Sequence, residues 1–344
     1  LNTGDEQDVR SEGMSYGMMI AVQLGHKAEF DALWNWARTH MYIGDPNNPS
    51  FGYYAWSCKK TGERNSNTSA PDGEEYFAMS LYFASARWGD GKGIYDYHAR
   101  ADELLRTILH RKQTSGRTAF GDRTVGPEFN PIQHMITFLP EPGGSAFTDP
   151  SYHLPGFYEL WARWGPAEDR RFWAQSARTS RAFFMKTADA KTGLSPVYAN
   201  FDGSPHPTDF AESEIFGHDA WRVASNWSWD ASWFADDPGE STLSERIQAF
   251  FASEGASYGQ TYTLGGKVLD LRPADGLIAS NAVASLAAAP SQRARAFTEA
   301  LWTASVPRGK YRYYDGMLYM LSLLHVSGEF RIWTPEWAGS PKRM

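Results

Sequence analysis

The chain has 344 residues, enough for one large domain or two modest ones. Hydrophobic residues at 42%, charged residues at 21% and a formal charge of −7 describe a globular protein with a full core; without clustered Lys and Arg, nucleic acid is excluded as a partner. Apolar stretches such as 316–326 are too short and too interrupted to span a bilayer, and the single cysteine, Cys58, leaves neither a disulfide framework nor a thiolate metal site.

In chain order, small and apolar residues at helical spacing predict a first helix over 14–24, stopped by Gly25, and a second over 30–41 through Phe30, Leu33, Trp34, Ala37 and Met41. Further helices are expected at 75–88, 100–110, 152–164, 167–188, 218–235, 241–253, 276–288, 293–304 and 314–327. Strand signals are sparse, and 52–58 and 329–333 are the only candidates. The long connections 44–71, 112–150 and 190–216 read as structureless, 112–150 as a surface excursion near one rim. No linker or composition shift divides the chain, so residues 1–344 are expected to form one all-α domain of paired helices. Eleven helices is an odd number for a closed array of hairpins, so one more helix is expected before Leu1.

Three acid-bearing segments stand far apart: Ser11-Glu12-Gly13-Met14-Ser15-Tyr16-Gly17, Ala70-Pro71-Asp72-Gly73-Glu74-Glu75-Tyr76-Phe77 and Gly217-His218-Asp219-Ala220-Trp221-Arg222-Val223. A carboxylate among apolar and aromatic residues is costly to bury unless paired, hydrogen-bonded or protonated. Three of them in a chain with 14 Trp point to carbohydrate chemistry, where carboxyl pairs move protons and indoles hold sugar rings. Each also has a plainer reading. Glu12 follows the natural N-cap Ser11, Pro71-Asp72-Gly73 is a strong turn signal, Glu74 and Glu75 suit a first helical turn, and Asp219 could simply pair with Arg222. Most aromatics belong in the core; Trp56 and Trp221, beside polar or acidic neighbours, are the candidates for stacking on a ligand. The nine His form no ligand cluster, and Gly265-Gly266 lacks the context of a phosphate loop, so no metal or organic cofactor is expected.

Taken together with Asp149-Pro150-Ser151-Tyr152-His153 and Tyr311-Arg312-Tyr313-Tyr314-Asp315, these segments resemble glycoside hydrolase family 8, in the order that family shows, from about residue 5 to 336. Tyr54-Ala55-Trp56-Ser57-Cys58 and Gly276-Leu277-Ile278-Ala279-Ser280-Asn281 resemble its xylan-active branch, the reducing-end xylose-releasing exo-oligoxylanases. The resemblance implies an (α/α)6 barrel, lacking its first helix in this chain, with a cleft across one end. It implies inverting hydrolysis of β-1,4-xylosidic bonds in xylo-oligosaccharides. Glu12 would be the general acid, Asp219 the general base and Asp72 the residue holding the distorted sugar. Tyr152 would position the attacking water, Arg222 would keep Asp219 ionised, Trp56 would stack on a xylose ring, and Tyr311 and Tyr314 would line the cleft.

In exo-acting members a loop before Gly-Leu-Ile-Ala closes the cleft with Leu-His-Pro at its tip. Here it reads Leu271-Arg272-Pro273, so Arg272 is expected to meet the reducing end, with longer reach and a fixed charge. The alternatives are an endo-acting xylanase of the same family and an inactive sugar-binding protein. One Cys, no visible leader at Leu1 and action on short, importable oligomers suggest the cytoplasm. Oligomeric state is open.

Overall fold

The computed structural model describes residues 1–4, 6–255 and 257–336. Among them are eleven α-helices: α1 (Ser11–Leu24), α2 (Lys27–Trp36), α3 (Pro71–Trp88), α4 (Tyr97–His110), α5 (Pro155–Trp164), α6 (Arg170–Thr187), α7 (Trp221–Phe234), α8 (Pro238–Glu254), α9 (Asp275–Val283), α10 (Gln292–Thr303) and α11 (Arg312–Ser327). Eight short strands make four two-stranded antiparallel ribbons: β1 (Asp8–Arg10) with β2 (Ser57–Lys59), β3 (Thr114–Thr118) with β4 (Gly121–Val125), β5 (Phe129–Asn130) with β6 (Met135–Ile136), and β7 (Thr261–Tyr262) with β8 (Val268–Asp270).

Helix starts follow local chemistry. Pro71, Pro155 and Pro238 open α3, α5 and α8, where a missing N–H costs nothing. Asp96, Asp237 and Ser291 cap α4, α8 and α10 by accepting from the N–H groups of Ala99, Gly239 and Ala294. Each even-numbered helix packs on the odd one before it, and the odd helices contact one another: α1 with α3, α5 with α7, α7 with α9, α9 with α11, and α11 back to α1. Between α3 and α5 the link is made by side chains, a Tyr158 hydroxyl donating to Glu75 Oε1 at 2.5 Å and Tyr76 edge-on to Phe157 at 5.0 Å. From Pro71 to Ser85 every residue of α3 is buried, the mark of a helix surrounded by others. Close approach has a sequence cause: a Cβ on Gly73 would lie 2.6 Å from Ser11 Oγ, so glycine is what lets α3 lie against α1.

Several sequence expectations need correction. The segment 329–333 is not a strand: the Gln23 amide bonds Arg331 N–H and C=O, each at 3.0 Å, Trp233 Nε1–H donates to Phe330 C=O, and the N–H groups of Glu329 and Phe330 close on Leu324 C=O. In 52–58 only Ser57 and Cys58 are extended in a ribbon. The excursion 112–150 is not structureless but carries two ribbons, the first, β3–β4, largely exposed. Pro71-Asp72-Gly73 is the opening of α3 rather than a separate turn. The predicted helix 218–235 begins only at Trp221, leaving Asp219 on the turn before it.

Candidate active site

The three acids meet at one end of the molecule, where the odd-numbered helices begin. Glu12 lies in the first turn of α1, Asp72 in the first turn of α3, and Asp219 just ahead of α7. What joins them is Arg222, in the first turn of α7 and 4% exposed. Its Nη1 lies 3.1 Å from Glu12 Oε2, 2.8 Å from Asp72 Oδ2 and 2.7 Å from the Tyr16 hydroxyl. Its Nη2 donates to Ser151 Oγ at 2.9 Å and Asp219 Oδ1 at 3.3 Å. Nη1 has two N–H bonds for three oxygens, so one bond is shared. Glu12 and Asp219 on a single guanidinium keep their nearer oxygens within about 9 Å, which admits the roughly 6.5–9.5 Å separation of an inverting carboxyl pair.

One cation cannot neutralise three carboxylates, and the electrostatics reflect that. Burial, with Asp72 and Asp219 nearby, pushes Glu12 up to about 7 against the pull of Arg222 and of a hydrogen bond from Tyr313. Burial also raises Asp72, again opposed by Arg222. Glu12 is thus suited to carry a proton near neutrality, as a general acid must. Asp219 is the most open of the three, its side chain 34% exposed where Asp72's is 4%. It faces the space from which water can arrive.

The remaining residues divide by place. Tyr152, buried in the turn before α5, sets its ring 5.7 Å from the Arg222 guanidinium. Half-buried Trp56 lies 5.6 Å from Arg10, and its carbonyl accepts from Ser11 N–H at 2.9 Å. Tyr314 donates to His218 C=O at 2.8 Å and lies 5.9 Å from the guanidinium. Beside this group a cavity of about 460 Å³ runs from Trp221, Tyr313 and Tyr314 out to Thr3, Glu6, Tyr311 and Arg272. Tyr311 is 60% exposed on its rim. Arg272 is folded onto Asp270 by side-chain bonds of 2.6 and 3.1 Å, far from the guanidinium hub in the chain of contacts but on the wall of the same cavity. Trp221 presents no open face for stacking: it is 2% exposed, packed between His218 and Tyr314, with Nε1–H bonded to Gln260 C=O at 2.9 Å.

Sequence reasoning missed three contributors. Tyr313 donates to Glu12 Oε1 at 3.1 Å, whereas its neighbours Tyr311 and Tyr314 were the expected ones. The only available signal was Gly13: a Cβ there would lie 2.4 Å from the Tyr313 hydroxyl, so a glycine beside the acid marks the approach of a bulky group. Tyr16 and Ser151 bind Arg222 and were visible only as motif neighbours. Glu74 and Glu75 are not solvated first-turn acids. Both are fully buried, accepting from Tyr54 N–H at 2.9 Å and the Tyr158 hydroxyl respectively, and burial holds both well above the usual carboxylate range. Among the described residues no His/Cys/Asp/Glu group has the geometry of a metal site.

The sequence model of the glycosyl hydrolases family 8 matches residues 2–328. The chain is 46% identical to the reducing-end xylose-releasing exo-oligoxylanase Rex8A of Paenibacillus barcinonensis, over 97% of this chain and 84% of that one. It is 41% identical to a reducing-end xylose-releasing exo-oligoxylanase of Bifidobacterium adolescentis, over 96% and 85%. The structure of a catalytic mutant of a family 8 xylanase from Teredinibacter turnerae, in complex with xylohexaose, superposes with a TM-score of 0.95 at 48% identity, over 97% of this chain and 85% of that one. With its family match spanning most of its length and the acids gathered on one guanidinium, the chain belongs to glycosyl hydrolase family 8.

Proposed function

We propose that this protein hydrolyses β-1,4-xylosidic bonds in xylo-oligosaccharides with inversion, releasing xylose from the reducing end. The observation that carries the reading is the placing of Glu12, Asp72 and Asp219 on Arg222 with Glu12 near 7. In this mechanism Glu12 protonates the glycosidic oxygen as its bond to the anomeric carbon breaks. Asp219 takes a proton from a water that attacks the opposite face. Asp72, buried and paired, sits where positive charge develops on the ring. Tyr152 helps place the attacking water, and Arg222 ties the three acids to one frame. Trp56 stacks on a xylose beside the scissile bond. The leaving group occupies the cavity lined by Tyr311, Tyr314 and Arg272, where Arg272 meets the reducing-end hydroxyls.

The same reading makes residues 1–344 one catalytic domain with an (α/α)6 barrel, the six odd helices inside and the five even ones outside, supported by the order of their contacts. Endo action is the second reading, favoured by one observation: Arg272 is 72% exposed at its side chain and turned onto Asp270, which leaves the rim open. Xylotriose and xylotetraose labelled at the reducing end decide between them. Labelled xylose as the first product supports exo action, and mixed labelled oligomers support endo. Proton NMR of that first product must show the inverted anomer; retention would remove the mechanism. An inactive sugar binder would be indifferent to Glu12→Ala, whereas an enzyme loses hydrolysis.

A further inference from the structure

Under the acids, on the side away from the cleft, the odd-numbered helices leave a small internal cavity of about 20 Å³. Its wall includes Tyr16, Ser151, Arg222, Asn226, Ser322 and His325, drawn from α1, α7, α11 and the turn before α5. A water molecule needs roughly 10–15 Å³ and two to four polar partners, and a cavity of this size stays dry only when its wall is apolar. This wall is mixed: its open surface is mainly apolar, with Leu318 and Leu321 contributing, and the polar groups are set among it. Two of its members also hold unmet hydrogen-bonding capacity. Arg222 commits Nη1 and Nη2 to five oxygens, yet its buried Nε–H has no protein acceptor. His325 is 6% exposed, and its buried Nδ1 has no protein partner. Its ring lies parallel to Trp229 at 6.1 Å and against Phe330 at 4.1 Å, which fixes the imidazole plane. Burial lowers its pKa to about 3, so it is a neutral ring with one donor and one acceptor nitrogen.

We propose that this cavity is a water site, and that the water held there accepts from Arg222 Nε–H and donates to His325. His325 is then a positioning residue. It touches neither substrate nor acid, but through the water it fixes the third nitrogen of the guanidinium. That limits swinging of the planar group about its Cδ–Nε bond, and so sets how the single positive charge is divided among Glu12, Asp72 and Asp219. Among the described residues lining the cavity, His325 is the only histidine. The function assigned to His325 rests on the reading of Glu12 as proton donor; the water site itself does not.

The experiment has two arms. A high-resolution crystal structure of the unliganded protein should show ordered density within hydrogen-bond distance of both Arg222 Nε and a His325 ring nitrogen. A cavity without density, or one filled by a rearranged side chain, overturns the proposal whatever the enzyme does. Kinetics on xylotriose with His325→Leu and His325→Gln form the second arm, each variant first checked for native circular dichroism. His325→Leu should lower kcat about tenfold at unchanged KM, the scale of one hydrogen bond to a charged group. Its alkaline limb should move to higher pH, because a loosened Arg222 no longer pulls Glu12 down. His325→Gln, which restores a polar partner, should recover most of both. Wild-type kcat and pH limb in His325→Leu, or equal loss in both variants, overturns the positioning role. If the wild-type protein leaves xylotriose intact, the functional reading fails while the density still judges the water site.

Discussion

Two groups of acids differ in their partners. Asp72 lies against the Arg222 guanidinium at 2.8 Å, with Glu12 and Asp219 on the same cation. Glu74 and Glu75, in the next positions of α3, turn away from it, as do Glu128, accepting from Ser69 Oγ at 2.6 Å, and Asp149, accepting from Ser151 N–H at 2.7 Å. Among the described contacts none of these four makes an ion pair, although Arg222 still draws Glu75 and Asp149 down through space. All four are fully buried, and burial raises each, Glu128 to about 8 and Glu74, Glu75 and Asp149 well above the carboxylate range. Burial is shared only in part: Asp72 is nearly as buried as these four, while the Asp219 side chain is 34% exposed. Direct contact with the guanidinium is the clearer difference: at hydrogen-bond distance Arg222 pulls against the rise of Glu12 and Asp72, whereas Glu74, Glu75, Glu128 and Asp149 lie beyond its hydrogen bonds and hold the walls.

The sharpest way to break this contrast is at the acid itself. Glu12→Gln keeps the shape and the bond from Tyr313 but cannot give a proton, so kcat on xylo-oligosaccharides should fall by about 10²–10⁴; near-normal turnover would place the donor elsewhere. Arg222→Lys comes next. An ammonium cannot span Glu12, Asp72 and Asp219 at once, and a loss of about 10²–10³ in kcat is expected. With less cationic pull on Glu12, which burial pushes up to about 7, the alkaline limb expected near that pH in the wild type should move upward. A pH–rate series on both proteins measures this.

The neutral group is tested by stability rather than rate. Below about pH 4.5 both folded and unfolded chains hold the Glu128 proton. As pH rises the unfolded chain releases it first, so this residue's contribution to stability falls until the folded group ionises near 8. Glu128→Gln, neutral at every pH, should flatten the stability profile between about 4.5 and 8 in denaturant unfolding; an unchanged slope would mean that Glu128 is not held neutral. The smallest effect is at the rim. Arg272→Ala should raise KM a few-fold and shift products toward longer leaving groups with kcat largely kept, as expected for one exposed contact.

How far the sequence could be read follows the same division. The helices were legible because α4, α6 and α11 bury one stripe each at helical spacing, and the motif acids were legible because carboxyls among aromatics demand explanation. Their convergence on one residue was not legible, since it depends on contacts such as Arg222 to Glu12, 210 positions apart. The fate of Glu74 and Glu75 was hidden for a related reason. First-turn acids usually face water, and only the tertiary burial of α3 on every side decides otherwise. The segment 329–333 misled because its β-forming residues are held in part by Gln23, a partner some 300 positions away that no local pattern reports.

The β1–β2 ribbon has a mechanical consequence. Arg10 pairs with Ser57, Ser57 Oγ donates to Asp8 at 2.7 Å, and Ser11 N–H closes on the Trp56 carbonyl immediately before α1 begins. The indole that would bear a sugar and the helix that aims the acid are therefore stitched edge to edge over a few residues. A ring stacked on Trp56, in the proposed reading, would push on the same short splice from which Glu12 projects, gearing grip to protonation.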